Sequence, residues 1–391
     1  MIRYFTAGES HGQALVGIVE GVPAGLSISS EYINHQLWRR QQGYGRGGRM
    51  RIETDTVEIL SGVRFGKTLG GPIALLVKNK DWQNWTEKMS VEGSGKEIEK
   101  ITLPRPGHVD LIGTVKYGFD DIRNVIDRSS ARETAMRVAC CTIARKFLEE
   151  FGIGIGSHVL SIGSVEIKDI EKVDTLILSM IEKTSANAVA DAGDKSEVRI
   201  LDKKTEERAI AAIKSCKKKG DTLGGIFEVI VSGVPVGLGS YVHYDRKLDG
   251  QCAQALMSIH AVKGVEIGDG FENARRFGSE VHDEIFIDKK GTFIRPTNRA
   301  GGLEGGVTNG ELLVFRGAMK PISTLANPLR TVDIKTKKNA QSRYERSDVC
   351  AVPAASVIGE AVIAPVLANA FLEKFGGDSI SEIKKRYKPF K

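Results

Sequence analysis

The sequence predicts an α+β protein with many short strands, built as one large domain. Three observations carry that expectation. The chain has 391 residues, 41 % of them hydrophobic, enough to bury a large core. Its apolar runs are mostly short, and turn residues separate them. Glycine is abundant, 44 residues, against a usual share of about 7 %. The glycines are not periodic, so they read as tight turns and close backbone approaches.

Composition also excludes some functions. Fifty-six basic residues face 49 acidic ones, a net charge of +7 that is mild for this length and does not imply a nucleic-acid binder. The five cysteines form no CxxC pair, and their odd count suits a reducing compartment without a disulfide framework. No signal peptide is visible at Met1-Ile2-Arg3-Tyr4. The longest apolar stretch, residues 356–372, contains Glu360 and Pro365 and falls short of a membrane span. The expectation is a cytoplasmic protein.

In chain order, Gly8-Glu9-Ser10-His11-Gly12 places a histidine among small residues, ahead of a strand at 15–19. Ser29 or Ser30 can cap a helix that runs to about Gln42. At its end lies a stretch with five arginines and four glycines in thirteen residues, 39–51, containing Arg40, Arg46 and Arg49. Arginine forks suit carboxylate and phosphate, which points to a small polyanion; an RGG-like loop on nucleic acid is the alternative. Strands follow at 57–60 and 73–77, then a charged segment, 79–100, expected to be exposed and mobile. Leu103-Pro104-Arg105-Pro106-Gly107-His108 holds Arg105 and His108 on a stiff backbone, and His11 with His108 makes a candidate pair of proton handlers. Ser130-Ala131-Arg132-Glu133 reads as a capping box for a helix to Gly152.

Residues 152–231 read as strand, helix (173–182), polar linker, helix (206–219) and strand. Thr68-Leu69-Gly70-Gly71 and Thr222-Leu223-Gly224-Gly225 each precede a strand and hint at two related units. A helix at 253–261 and glycine-rich bends at 301–310 follow. Neither GxGxxG nor GxxxxGK[ST] occurs in its required context, which disfavours a dinucleotide fold and a P-loop. A strand at 312–316, Lys320 and Thr324, the polar run 341–348, a helix at 356–372 and a basic tail at 384–391 complete the chain.

Taken together, Gly43-Tyr44-Gly45-Arg46-Gly47-Gly48-Arg49-Met50, Arg105-Pro106-Gly107-His108, Arg128-Ser129-Ser130-Ala131-Arg132-Glu133-Thr134 and Glu345-Arg346-Ser347-Asp348 resemble the chorismate synthase family over nearly the whole chain. The resemblance implies a β-α-β sandwich, two antiparallel sheets enclosing helices, assembled as a homotetramer. It implies a lyase that uses reduced FMN to eliminate phosphate from 5-enolpyruvylshikimate 3-phosphate, the last step of the shikimate pathway. It further implies that Ser10, Arg40, Arg46, Arg49, Arg105 and Arg132 bind the substrate, and that Ser130, Ala131, Lys320, Thr324, Arg346 and Ser347 contact FMN. By the same resemblance His11 serves the leaving phosphate, His108 stands beside the flavin, and Asp348 helps to remove the ring proton. No metal, nucleic acid or membrane is implied. No reductase domain is recognisable, so an external flavin reductase or other electron donor is expected, with direct use of NADPH left open. Only Tyr44 among aromatics lies inside the arginine stretch, which weakens the nucleic-acid alternative.

Overall fold

The structure is a computed structural model and describes residues 1–47, 53–345 and 347–388. Its frame is a duplication. The first half supplies β1 (Arg3–Ala7), β2 (Ala14–Glu20), helix α1 (Ser30–Gln41), β3 (Val57–Ile59), β4 (Ile73–Lys78) and helix α2 (Glu133–Glu149). The second repeats the order with β5 (Gly154–Ile162), β6 (Gly225–Ser232), α3 (Leu248–Met257), β7 (Val262–Ile267), β8 (Leu313–Met319) and α4 (Val352–Phe375). The sheets run β1-β2-β4-β3 and β5-β6-β8-β7, antiparallel throughout, and a two-residue strand, Val165–Glu166, extends the second beside β5.

The repeat is written in the residues. Gly21-Val22-Pro23-Ala24-Gly25-Leu26 follows β2, and Gly233-Val234-Pro235-Val236-Gly237-Leu238 follows β6. In the first, the Thr68 hydroxyl donates to Pro23 O at 2.6 Å and accepts from Leu26 N at 2.9 Å. In the second, Thr308 does the same with Pro235 O at 2.7 Å and Leu238 N at 2.8 Å. The partner of Thr68 is therefore Thr308. This corrects the pairing expected from sequence, in which Thr222 took that place; the Thr222 hydroxyl donates instead to Ile322 O.

α2 and α4 pack against each other between the sheets, and α1 and α3 lie beside them. The expected sandwich of sheet, helices and sheet is what the chain forms. Both central helices are buried almost all round; α4 is apolar on nearly every side, while α2 also buries Arg137 and Arg145. α4 runs beyond the stretch expected at 356–372 and, against the expectation from sequence, is long and apolar enough to cross a membrane, yet 83 % of its most apolar window is buried within the fold, which makes it a core helix.

Ser29 caps α1 through Tyr32 N, as expected. The capping box at Ser130 does not form. α2 begins at Glu133, the Ser130 hydroxyl accepts from Arg132 N, and Glu133 accepts from the Thr6 hydroxyl at 2.7 Å. The turn before α2 is held open for other contacts. The polar linker contains a further helix, Asn187–Asp194, and the helix expected at 253–261 runs over 248–257. The expected basic tail starts later than residue 384, because Lys384, Lys385 and Arg386 form the last turn of helix Ile380–Arg386, where cations suit the helix dipole.

Candidate active site

A cavity of about 390 Å³ opens where the N-terminal ends of α2 and α4 converge. Both halves line it. Its lining carries Arg40, Arg46, Arg105 and Arg132 with His108, Lys320 and Asp348. Its apolar wall is Ile126, Met319, Ile322 and Ile358, and Ala351, Ala354 and Ala355 let the first turns of α4 approach closely. Four guanidinium groups, beside the positive dipole ends of two helices, make the space a receptacle for anions.

Buried carboxylates hold each arginine in place. Arg40 is 3 % exposed and donates to the Thr134 hydroxyl at 3.0 Å and to Ala131 O at 3.1 Å, with Asp55 at 3.5 Å. Burial, and then the charges of Arg46 and Arg132, lower its pKa to about 10, against the pull of Asp55. It stays charged at neutral pH, and an anion entering the cavity relieves that repulsion. Arg132 donates to Asp55 and to Asn79 Oδ1 at 3.0 Å. Its Nη2 makes no hydrogen bond among the described residues, although Glu53 lies 3.6 Å away. Asn79 in turn donates to Glu9 O and Gly12 O, so residue 79 belongs to the frame and not to a loose loop.

Arg105 is paired more tightly than a substrate clamp alone requires. It grips Asp110 through Nε at 2.8 Å and Nη2 at 3.0 Å, and the Thr324 hydroxyl through Nη1 at 3.0 Å. His108 Nδ1 lies 2.5 Å from the same Asp110. Burial pushes the Asp110 carboxyl up, but His108 and Arg105 overcome it and hold it well below the usual carboxylate range. Asp348 joins the arginine-glycine loop to the cavity: Oδ1 accepts from Gly47 N at 2.5 Å and Oδ2 meets Arg46 at 2.9 Å. Gly45, at φ 90°, accepts through its carbonyl from Val349 N, and a Cβ at Gly47 would come within 2.8 Å of Ser347 O. Glycine is required at both points.

Most expected site residues thus meet around one space, including Ser130, Ala131, Thr324 and Ser347. Arg49 and Arg346 lie outside the described residues. Ser10 and His11 stand apart from the cavity wall. His11 Nδ1 is 2.5 Å from buried Asp127, and its ring stacks on Trp85 with centroids 3.9 Å apart. Burial raises the Asp127 carboxyl, but the His11 bond and charge, with Arg123, hold it below the usual carboxylate range.

Sequence reasoning missed Asp55 and Asp127, because a carboxylate far along the chain from its arginine or histidine leaves no local signal, and it gave no role to Asp110, although that residue lies within five of Arg105 and two of His108. It also missed Ile259-His260-Ala261. His260 lines the cavity, its Nδ1 is buried without a hydrogen bond among the described residues, and burial lowers its pKa. Ala261 is held at φ 66°, a conformation that costs an alanine about 1–2 kcal/mol. Ala261→Gly is therefore expected to leave stability unchanged or raise it by about 1 kcal/mol, read as the urea midpoint. A marked drop would show that the methyl packs against the cavity wall strongly enough to outweigh its strain.

An α+β sandwich enclosing an arginine-lined cavity defines an enzyme class that handles a small polyanion. The chorismate synthase family model matches residues 2–372. The chain is 60 % identical over 387 residues to the chorismate synthase of Chlorobium phaeovibrioides, covering 99 % of this chain and 96 % of that one. It is 58 % identical over 392 residues to that of Chlorobaculum tepidum, covering 100 % and 98 %. A crystal structure of chorismate synthase superposes with a TM-score of 0.77 at 46 % identity, covering 98 % of this chain and 96 % of that one. The chain belongs to the chorismate synthase family.

Proposed function

We propose that the cavity seats FMN in its reduced form against its apolar lining residues and the substrate's carboxylates and phosphate against its arginines. Family membership makes the chain a lyase that converts 5-enolpyruvylshikimate 3-phosphate to chorismate by FMN-dependent elimination of phosphate, the last step of the shikimate pathway. The observation that supports the placement is that four arginines and a set of apolar side chains line one cavity.

The residues present fit a flavin. Ile126, Met319 and Ile322 offer apolar contacts, Lys320, Ser323 and Thr324 offer polar ones, and Nδ1 of His260 is buried without a hydrogen bond among the described residues. Ser130, Ala131 and Ser347, with Arg346, complete the proposed cofactor contacts. When bound, the flavin supplies reversible electron donation, which no side chain here can.

The chain's own residues do the rest. Arg40, Arg46, Arg105 and Arg132, with Arg49, hold the anionic groups and stabilise the charge that gathers on phosphate as it departs. Their carboxylate partners fix the forks in advance, so little reorganisation is needed during reaction. Asp348, which lines the cavity, takes up the ring proton in this reading. His108 is oriented by Asp110 on the flavin side. Ser10 and His11 serve the leaving phosphate, and the stack of Trp85 on the His11 ring ties the segment after it to this end of the site. Residues 86–100 are therefore expected to gain hydrogen-exchange protection when FMN and substrate bind together. Equal protection with and without ligands would sink this closure.

The enzyme works in the cytoplasm as a homotetramer and takes its reduced flavin from a separate reductase. Anaerobic assay with chemically reduced FMN is expected to release phosphate from enolpyruvylshikimate phosphate. No release by the folded protein overturns the placement. With oxidised FMN and NADPH alone it is expected to be inactive; turnover there would remove the separate reductase.

A further inference from the structure

The turn that leads into α2 does more than line the cavity. Ile126 and Ser129 belong to that lining, and between them Asp127 is buried, 2 % exposed. It holds the loop at residues 8–12 by its backbone and its side chain together. Its carbonyl accepts from Ser10 N at 2.9 Å, and Oδ1 accepts from His11 N at 3.2 Å and lies 2.5 Å from His11 Nδ1. Oδ2 takes a longer contact, 3.4 Å, from Arg123.

A bare structural tie would not need a charge. An ionised carboxylate taken out of water is costly unless a cation meets it. Arg123 supplies only part of that cation, because it also lies 3.6 Å from Glu345 and leans over the Trp85 ring. The closest group is the His11 imidazole, whose side chain is 15 % exposed and stacks on the same Trp85. Burial raises the Asp127 carboxyl, yet His11 and then Arg123 outweigh it, so it is ionised at neutral pH and only accepts. Nδ1 of His11 must then be the donor, which leaves Nε2 as the nitrogen that trades protons with a ligand. Among the described residues, the next ring of charge is Glu9 on the same loop, Arg128 against Gly8 O, Asp81 and Lys88 at Trp85, and Glu345 behind Arg123. All of these stay in place when Asp127 or His11 is changed.

We propose that Asp127 is the positioning residue of His11: it fixes the Nδ1–H tautomer, presents Nε2 to the departing phosphate and favours the charged ring that protonates it. The inference rests on the reading of His11 given above and adds the residue that sets its protonation. As the carbon–oxygen bond breaks, its electron pair stays on the phosphate oxygen. The Nε2 proton passes to that oxygen, the Nδ1 proton remains in the bond to Asp127, and the ring takes a proton from water before the next turnover. Without the carboxylate the tautomer is no longer fixed, and the charged ring loses its partner.

Anaerobic kinetics with chemically reduced FMN test the assignment in Asp127→Asn, His11→Gln and the double variant. Asp127→Asn is expected to lower kcat by about 100-fold with KM for the substrate little changed. Removing the negative partner eases deprotonation of the charged ring, so the alkaline limb of the kcat profile is expected to move about one pH unit lower. In the His11→Gln background the same change is expected to cost nothing further, an outcome that damage to the fold alone does not produce. A His11→Gln enzyme at the wild-type rate overturns the His11 reading and this inference with it. If His11→Gln is slow while Asp127→Asn keeps the wild-type rate or profile, or if the two losses multiply, Asp127 alone is overturned. Should Asp127→Asn misfold, nitrogen-15 NMR of the histidines in the wild-type enzyme decides. The signal that His11→Gln removes is expected to show a protonated Nδ1; a bare Nδ1 beside a protonated Nε2 overturns the proposed tautomer.

Discussion

Replacing Asp348 by asparagine is expected to lower turnover by about 100-fold or more, the usual range for losing a positioned acid or base. Flavin affinity, read by fluorescence quenching, is expected to change by less than about tenfold, or 1.4 kcal/mol. The two parameters separate because Asp348 has two duties. Its Oδ1 accepts from Gly47 N at 2.5 Å and so ties the arginine-glycine loop to the cavity. Asparagine keeps that acceptor, so the loop stays docked. What it loses is the negative charge beside Arg46, 2.9 Å away, and with it the capacity to accept a proton. Asp348→Ala loses both duties. Its KM for the substrate should therefore rise along with the fall in kcat, because Gly47 and Arg46 are released together. If the asparagine variant turns over near the wild-type rate, Asp348 is a loop anchor and the base lies elsewhere.

The halves of the molecule were legible in the sequence to different degrees, for physical reasons. α1 was readable because Ser29 and an apolar spacing mark it locally. The duplication was written twice as Gly-Val-Pro-x-Gly-Leu, yet the more conspicuous Thr-Leu-Gly-Gly pair drew attention to the wrong partner. Only the hydroxyl geometry of Thr68 and Thr308 identifies the true one. The arginines announced an anion site through their side-chain chemistry, and four of them do line one cavity. Their carboxylate partners could not be read. Asp55 and Arg132 are 77 residues apart, and Asp348 and Gly47 are 301 apart. Contacts at such separations belong to the tertiary fold, whereas the stiff Arg105–Asp110 segment, whose partners lie within five residues, was half visible.

Arg39 shows the same limit most sharply, because it belongs to the arginine stretch and yet faces away from the cavity. It points into the core, where Glu360 of α4 accepts from its Nη1 at 2.6 Å and Nη2 at 2.8 Å. Arg145 of α2 donates to Glu360 at 2.5 Å, Arg199 lies 3.3 Å from it, and the Ser157 hydroxyl of β5 donates to it at 2.6 Å. One carboxylate, 1 % exposed, thus joins α1, α2, α4 and the second sheet. Removing it leaves three buried guanidiniums, with Asp194 serving Arg39 and Arg199 and only Glu149, at 3.6 Å, near Arg145. Glu360→Ala is therefore expected to cost about 3–5 kcal/mol, the range for breaking a buried ion pair from one side. The measurement is the urea midpoint, at constant slope. Burial alone would raise the Glu360 carboxyl, but the charges of Arg39 and Arg145 overcome it and hold it well below the ordinary range. A depressed folded pKa stabilises the fold above the ordinary glutamate value of about 4.3, and that contribution fades as pH falls from there toward the folded value. Wild-type stability should accordingly decline more steeply below about pH 4 than that of Glu360→Gln, which has no such proton to take up. Parallel acid profiles for the two proteins would mean that Glu360 contributes through packing and hydrogen bonds, with its charge of little consequence.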